Sequence, residues 1–426
     1  MERVLPVLDK LIIAALFVFV FFSIFSISIA QVACGLGGLA WFFRMYLVRS
    51  IEKQLWPLGI PFALYALACL VAVGSAYNVS YSFESLKKLL EIFIFFWVVN
   101  CVREDRLRDS LSLLLIIAAS VASLLGFYEA WTKGITVLNR IEGTMSVYMT
   151  FAGLLMMVGM VTFARALFKH PKELWLWLAV AVIATCILFT LTRQAWFGFL
   201  TGLLFLGFVW KRKYFLISLG LVLVIAFTAS VQMKTRFQSL LPLNSKDQVQ
   251  YRYHKDDTFI EQIKYRLYGM VTGNDYNFGV RLALWRGGWE IFKDYPLTGC
   301  GFRCVDIVNH QYPDPTGFVK RYRGMHNNFV QLAVDTGILG LTAWLGIWVC
   351  FFRLLYKRVS ALEEKSDLLW VVWGSAATGV AFLAGGVFET NFYDSEVVMV
   401  LYFIMALPFA GSQSLKPIKE REAVQN

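Results

Sequence analysis

Residues 11–30 read LIIAALFVFVFFSIFSISIA, without one charged side chain. A run of this length matches the roughly 20 residues that an α-helix needs to cross a hydrocarbon core. Working outward from it, further apolar runs occupy 32–48, 55–74, 89–102, 111–128, 145–164, 174–192, 194–210, 214–231, 328–352, 368–388 and 396–411. The pattern predicts an all-α polytopic membrane protein with about 12 transmembrane helices, because lipid leaves the backbone no hydrogen-bond partners outside the helix itself. Composition agrees. With 58% of residues hydrophobic and only 16% charged, the chain is too apolar for a disordered polymer, a disulfide-stapled secreted module or a cytosolic nucleotide-binding enzyme. It also lacks the alternating segments of roughly ten residues that build an outer-membrane barrel. The first run is too long for a typical cleaved signal and is soon followed by a second, so it reads as a retained span.

The net charge is +11 and the pI about 9.2. In a soluble chain such an excess would suggest nucleic acid. Here it reads as an orientation signal beside the membrane, and no nucleic-acid partner is predicted. Clusters such as Arg103/Arg106/Arg108, Lys211/Arg212/Lys213 and Lys357/Arg358 fall in alternate connections, whereas the short connections between them hold only Lys87, Lys88, Lys133, Arg140 and Arg193. The basic side faces the cytoplasm and both termini lie inside. The resulting division is nine spans over 1–231, one large, partly helical outside loop over 232–327, three more spans over 328–411, and an inside tail over 412–426.

A connection as long as 232–327 is usually folded or functional. Within it, Val280–Tyr295 places Leu284, Trp285, Trp289 and Phe292 at helical spacing, which predicts an amphipathic helix at the membrane surface. Pro296 and the Gly299-Cys300-Gly301 cluster stop that helix, and 312–317 reads as a turn. Of seven cysteines, Cys34, Cys69, Cys101, Cys186 and Cys350 fall in or beside apolar runs and read as small hydrophobes. Cys300 and Cys304 are the pair placed to bridge, and the sequence leaves that open.

Chemistry-bearing residues gather on the outside face. His326, in Arg323-Gly-Met-His-Asn-Asn-Phe, stands where the loop enters the next span, and its imidazole can take a proton near neutral pH. The plainer alternative is an interfacial histidine bonded to a backbone carbonyl. His170, His254 and His310 are weaker candidates. Arg193 sits between two closely joined apolar runs, where an anionic ligand or the lipid phosphates would satisfy it. Arg281 and Arg286 are five positions apart on the amphipathic segment, so only one need face a site, while Arg140 has Glu142 nearby to neutralise it. Several arginines on one membrane face suit a diphosphate, because the guanidinium fork grips phosphate oxygens bidentately and stays charged. Glu389, Asn391, Asp394 and Glu396 add outside polar groups, either for sugar hydroxyls or as an ordinary solvated turn. No Walker loop, GxSxG elbow, HExxH or paired CxxC is present. Asp256-Asp257 is a lone acidic pair, so neither metal nor cofactor is predicted.

One ordered set of motifs goes further: Gly279-Val-Arg281, Trp285-Arg286, Asp294-Tyr-Pro296-Leu-Thr-Gly299-Cys-Gly301-Phe, His326-Asn327-Asn328 and Gly337-Ile-Leu-Gly340. In this the chain resembles the O-antigen ligase/polymerase superfamily of bacterial envelope enzymes. The resemblance implies a membrane-embedded glycosyltransferase of GT-C type in the inner membrane. Its donor would be an undecaprenyl-diphosphate-linked O-antigen on the periplasmic side, and a ligase would pass that glycan to the lipid A core oligosaccharide. The implied catalytic positions are His326, Arg281 and Arg193. Substrate binding falls to Arg193, Arg281, Arg286, Arg140, Asn328 and Glu389. The Cys300/Cys304 pair is not part of the family pattern. A polymerase joining lipid-linked repeats and a transferase to protein hydroxyls share this chemistry. A lipid-linked glycan transporter is the reading from another class, and it would need polar residues along the middle of several spans, where this sequence is nearly free of charge.

Overall fold

The computed structural model describes residues 3–135, 140–169, 171–212, 276–314, 316–322, 324–363 and 366–411. Its regular elements are all helices: α1 (Val4–Phe22), α2 (Ile27–Val48), α3 (Gly59–Gly74), α4 (Val79–Ser85), α5 (Ile92–Cys101), α6 (Asp105–Lys133), α7 (Tyr148–Phe168), α8 (Leu176–Phe189), α9 over 193–212, α10 (Tyr276–Asp294), α11 (Val305–Val308), α12 (Phe318–Arg321), α13 (Asn328–Ser360), α14 (Leu369–Gly385) and α15 (Ser395–Ala406). Among the described residues, α1, α2, α6, α7 and α13 are long and apolar enough to cross a membrane, while α3, α8, α14 and Ser395–Phe409 are shorter apolar helices. The run at 214–231, His170, His254, Asp256-Asp257 and the tail over 412–426 lie outside the described residues.

Helices α1, α2 and α3 are apolar on both faces, as suits membrane elements. On α1, Leu8, Ile12, Leu16 and Phe19 recur on one face and are buried, while Val7, Leu11 and Val18 stand exposed on the others. Ile60, Leu64 and Leu67 do the same on α3, and Leu39 and Phe43 on α2. In water such a continuous apolar exterior would drive aggregation, whereas lipid tails accept it without cost. Helix α7 is the exception and the centre, enclosed along nearly all its length against α8, α14 and α15. Helix α9 reaches this centre through small residues. A Cβ on Gly198 would lie 2.5 Å from the Ala381 carbonyl oxygen, and one on Gly202 would lie 3.2 Å from that of Ala377.

Two features depart from the hydropathy reading. The run at 11–30 is broken inside its length, because α1 stops at Phe22 and α2 starts at Ile27. Ser23 donates Oγ–H to the Val20 carbonyl at 2.9 Å in that turn. The run at 328–352 is broken at Gly337, whose φ of 63° and ψ of −167° are not helical. A Cβ there would meet the Leu297 carbonyl oxygen at 2.2 Å, so only glycine fits. The break lets 296–301 dock alongside: Ile338 N donates to Pro296 O at 2.9 Å, Leu339 N to Leu297 O at 3.2 Å, and Cys300 N to Val334 O at 2.9 Å. Cys300 and Cys304 are disulfide-bonded there, with a Cα–Cα distance of 5.8 Å. Val280, Leu284, Ile291, Val305, Val308, Val319 and Met325 pack with them as a small core separate from that of the bundle.

Candidate active site

A cavity of about 220 Å³ opens where α7, α9, α10 and the segment before α13 converge. Arg140, Arg193, Arg281 and His326 all line it, together with Tyr148, Thr192, Gln194 and Tyr322. Residues from positions 140 to 326 are thus brought to one place, each by a local device.

Arg193 is presented by the tight turn between α8 and α9. Leu191 takes a left-handed φ of 50° with its side chain fully buried, and Thr190 donates Oγ1–H to Ile187 O at 2.7 Å. Trp196 clamps the same carbonyl through Nε1 at 3.0 Å, which fixes the first turn of α9. Arg281, on the first turns of α10, donates Nε–H to Phe388 O at 3.0 Å. Trp285, one turn further on, donates Nε1–H to Met325 O at 3.0 Å and so ties α10 to the residue preceding His326. Arg140 lies over the Tyr148 ring, 4.3 Å from its centroid. Its loop is held to α6 by Glu129, whose Oε2 accepts from Gly143 N at 2.8 Å.

His326 is the most constrained group. Its backbone has a φ of 45°, a left-handed conformation uncommon outside glycine. Gln331 Oε1 accepts from Met325 N at 2.8 Å on one side, and on the other Asn327 caps α13 by accepting from Phe329 N at 2.8 Å and Val330 N at 3.1 Å. The imidazole Nδ1 lies 2.9 Å from Glu389 Oε1, and the Tyr322 ring meets it edge-on at 5.9 Å. A carboxylate requires the donor tautomer at Nδ1, which leaves Nε2 as the nitrogen for chemistry. Burial pushes the imidazolium pKa down, but the Glu389 carboxylate outweighs it and holds His326 above the ordinary histidine value, with Arg281 opposing. For Glu389, burial pushes the carboxyl up and His326, with help from Arg281, brings it below its ordinary value.

The remaining positions fall elsewhere. Arg286 is exposed on α10 and is not part of the cavity wall. Asn328 is fully buried behind it, donating Nδ2–H to Asn391 Oδ1 at 2.6 Å and accepting from Phe392 N at 3.0 Å, so it stitches α13 to the segment before α15. Glu389 acts on His326 rather than lining the cavity. Asp394 accepts from Thr150 Oγ1 on α7. Tyr322, Tyr148 and Gln194, which the sequence reading did not single out, join the wall. Among the described residues, the one grouping of three possible metal donors, Cys300, Cys304 and Asp335, has both sulfurs in the disulfide and lies outside this cavity.

A cavity walled by three guanidinium groups and a carboxylate-steadied imidazole is suited to bind a polyanion and move a proton beside it. No curated protein matches the chain. Residues 178–345, a stretch that holds Arg193, Arg281, Arg286, His326 and Asn328, match the family model described as O-Antigen ligase. That match, together with the helical apolar architecture, supports a membrane-bound glycosyltransferase-like function of the O-antigen ligase/polymerase type. The match over 178–345 supports membership of the O-antigen ligase/polymerase superfamily.

Proposed function

We propose that the protein is an O-antigen ligase that transfers a glycan from undecaprenyl diphosphate to a sugar hydroxyl of the lipid A core oligosaccharide. In this reading it acts at the periplasmic face of the inner membrane, inverts the anomeric centre and needs no metal. The observation that carries the reading is the convergence of Arg140, Arg193, Arg281 and the His326–Glu389 pair on one cavity. Cleavage of the bond between the anomeric carbon and the diphosphate oxygen leaves its electron pair on that oxygen, adding one negative charge to the two that the lipid diphosphate already carries. Arg193 and Arg281 stabilise it by preorganised, bidentate contacts, as fixed donors do best in a site that excludes water. The acceptor hydroxyl loses its proton to His326 Nε2 as its oxygen attacks from the face opposite the leaving group. Glu389 then stabilises the imidazolium so formed. A single displacement of this kind requires no carboxylate nucleophile. Arg140, held over Tyr148, extends the positive wall toward the second phosphate.

The test uses the purified full chain in nanodiscs with lipid-linked glycan and lipid A core acceptor, with and without chelator. The expected product is the core extended by glycan, with inverted linkage, at equal rates in both arms. Joined lipid-linked repeats instead of capped core would make it a polymerase. Normal transfer by both His326→Asn and Arg281→Ala would remove the mechanism.

A further inference from the structure

At the opposite end of the bundle lie two more cavities, of about 310 and about 300 Å³, that share Arg44 and Arg103 in their walls. Their place follows from the α1–α2 hairpin. Its turn touches the loop that carries Arg140, where Thr144 Oγ1 donates to Ile24 O at 2.5 Å. From there α2 runs 22 residues, about 33 Å at the helical rise, before it presents Arg44 and Arg49 at the far end.

This end is built rather than frayed. Arg44 Nε meets Asp9 Oδ1 of α1 at 2.5 Å. Asn100 accepts from Leu55 N at 2.7 Å and donates to Leu55 O at 3.0 Å, which pins the short turn Ile51–Lys53 and the residues after it to α5. Trp41 Nε1 donates to Gln54 Oε1 at 3.3 Å, and Arg103 Nε to Asn100 O at 3.2 Å. Arg103 and Lys53 are exposed and form no ion pair among the described residues. The walls also carry apolar side chains, Ile12, Ile13 and Leu107 in one cavity and Val48, Leu55 and Val99 in the other.

We propose that this double cleft binds the headgroup of an anionic phospholipid, with its phosphodiester between Arg44 and Arg103 and its acyl chains against Ile12, Ile13 and Leu107. Three features favour that occupant. The cavity walls hold Arg44, Lys53 and Arg103 against Asp9 and Glu104, an excess of one positive charge that a phosphodiester matches. A zwitterionic lipid brings its own cation and gains nothing from that excess. The apolar side chains that share the walls with the guanidinium groups suit an amphiphile and give no benefit to free phosphate. A basic residue that only sets orientation needs to be near the membrane, not to frame a cavity. Arg106, exposed on the same face and lining neither cavity, is the internal control.

Native mass spectrometry of the detergent-solubilised full chain reads the site with phosphatidylglycerol, phosphatidylcholine and inorganic phosphate as separate probes. Phosphatidylglycerol is expected to bind at least tenfold more tightly than phosphatidylcholine. Arg103→Gln should weaken it about tenfold, Arg106→Gln should leave it unchanged, and both variants should keep the lipid-free Tm. Lys53→Gln, on an exposed turn, gives a second reading should Arg103→Gln fail to fold. Equal binding by wild type and Arg103→Gln (or Lys53→Gln in its place), equal loss with Arg106→Gln, no preference over phosphatidylcholine, or equally tight binding of inorganic phosphate would each overturn the proposal.

Discussion

The Arg108/Arg165 network at one end of the bundle and the candidate active site at the other hold their arginines in different ways. At the end away from the candidate active site, Arg108 is 2% exposed and bonds Asp105 and Asp109, both at 2.7 Å. Arg165 there meets Glu173 at 2.8 Å and Lys169 meets Asp109 at 2.7 Å, so one network joins α6, α7 and the connection to α8. At the other end Arg193, Arg281 and Arg140 gather around a cavity, steered by a tight turn, a backbone carbonyl and an aromatic ring. The first arrangement cross-links helices. The second concentrates positive charge where a molecule can enter. An arginine near a membrane boundary therefore has no fixed meaning until its surroundings are known.

The sharpest way to break this contrast is at His326. His326→Asn keeps a residue that tolerates the left-handed φ of 45° but removes the base. Transfer should fall by about 10²–10⁴-fold with an unchanged Tm, measured as kcat on the lipid-linked donor. Next, Arg193→Lys and Arg281→Lys keep the charge and lose the fork. Each should lower kcat by about 10²-fold. A loss confined to KM would instead make them ground-state anchors.

Glu389 sharpens the comparison by pH. The carboxylate holds the His326 pKa up, and the base form of His326 is the neutral one. Activity therefore falls as pH drops through the raised pKa, and the acid limb of the kcat/KM profile lies above the position set by an ordinary histidine. Glu389→Gln removes the stabilising charge, so the limb should move to lower pH while the plateau drops by about tenfold through loss of imidazolium stabilisation. An unmoved limb would mean that Glu389 has no hold on the base.

Parts of this arrangement were legible in the sequence and parts were not, for reasons that lie in the residues. Arg193 and His326 stand out because a strong polar group interrupts or borders apolar sequence, and the long helices announce themselves by hydropathy. The break at Gly337 is muted, because Leu332, Val334, Ile338 and Leu339 flank Asp335-Thr336-Gly337 with apolar sequence on both sides. The Ser23–Ser26 turn is hidden in the same way by serines inside a run without charge. The service of Glu389 to His326 spans 63 positions and depends on how α13 and α14 pack, which no local pattern encodes. Arg281 and Arg286 are alike in sequence, yet five helical steps turn the second about 140° away from the first.

The opposite end should respond in a different currency. Arg108→Gln removes two charge-assisted bonds next to Asp109, and the protein should lose about 2 kcal/mol of stability, seen as a lower Tm. The kcat of the fraction that stays folded should be within about twofold of wild type, because Arg108 stands at the far end from the cavity. A kcat loss comparable with that of Arg281→Lys, at unchanged Tm, would erase the distinction between the two ends.

The smallest effect is expected within the active end itself. Arg286→Ala removes a guanidinium from the same helix that carries Arg281, but from an exposed position outside the cavity wall. If convergence on the cavity is what gives an arginine its role, kcat and KM should stay within about twofold and Tm should barely move, as for other surface substitutions. If net positive charge at this end is what draws the diphosphate, Arg286→Ala should raise KM, and the rise should shrink as salt screens the field. Measuring KM for the donor at low and high ionic strength in Arg286→Ala separates these outcomes, because a contact made by one side chain and a field shared by many differ in how steeply salt weakens them.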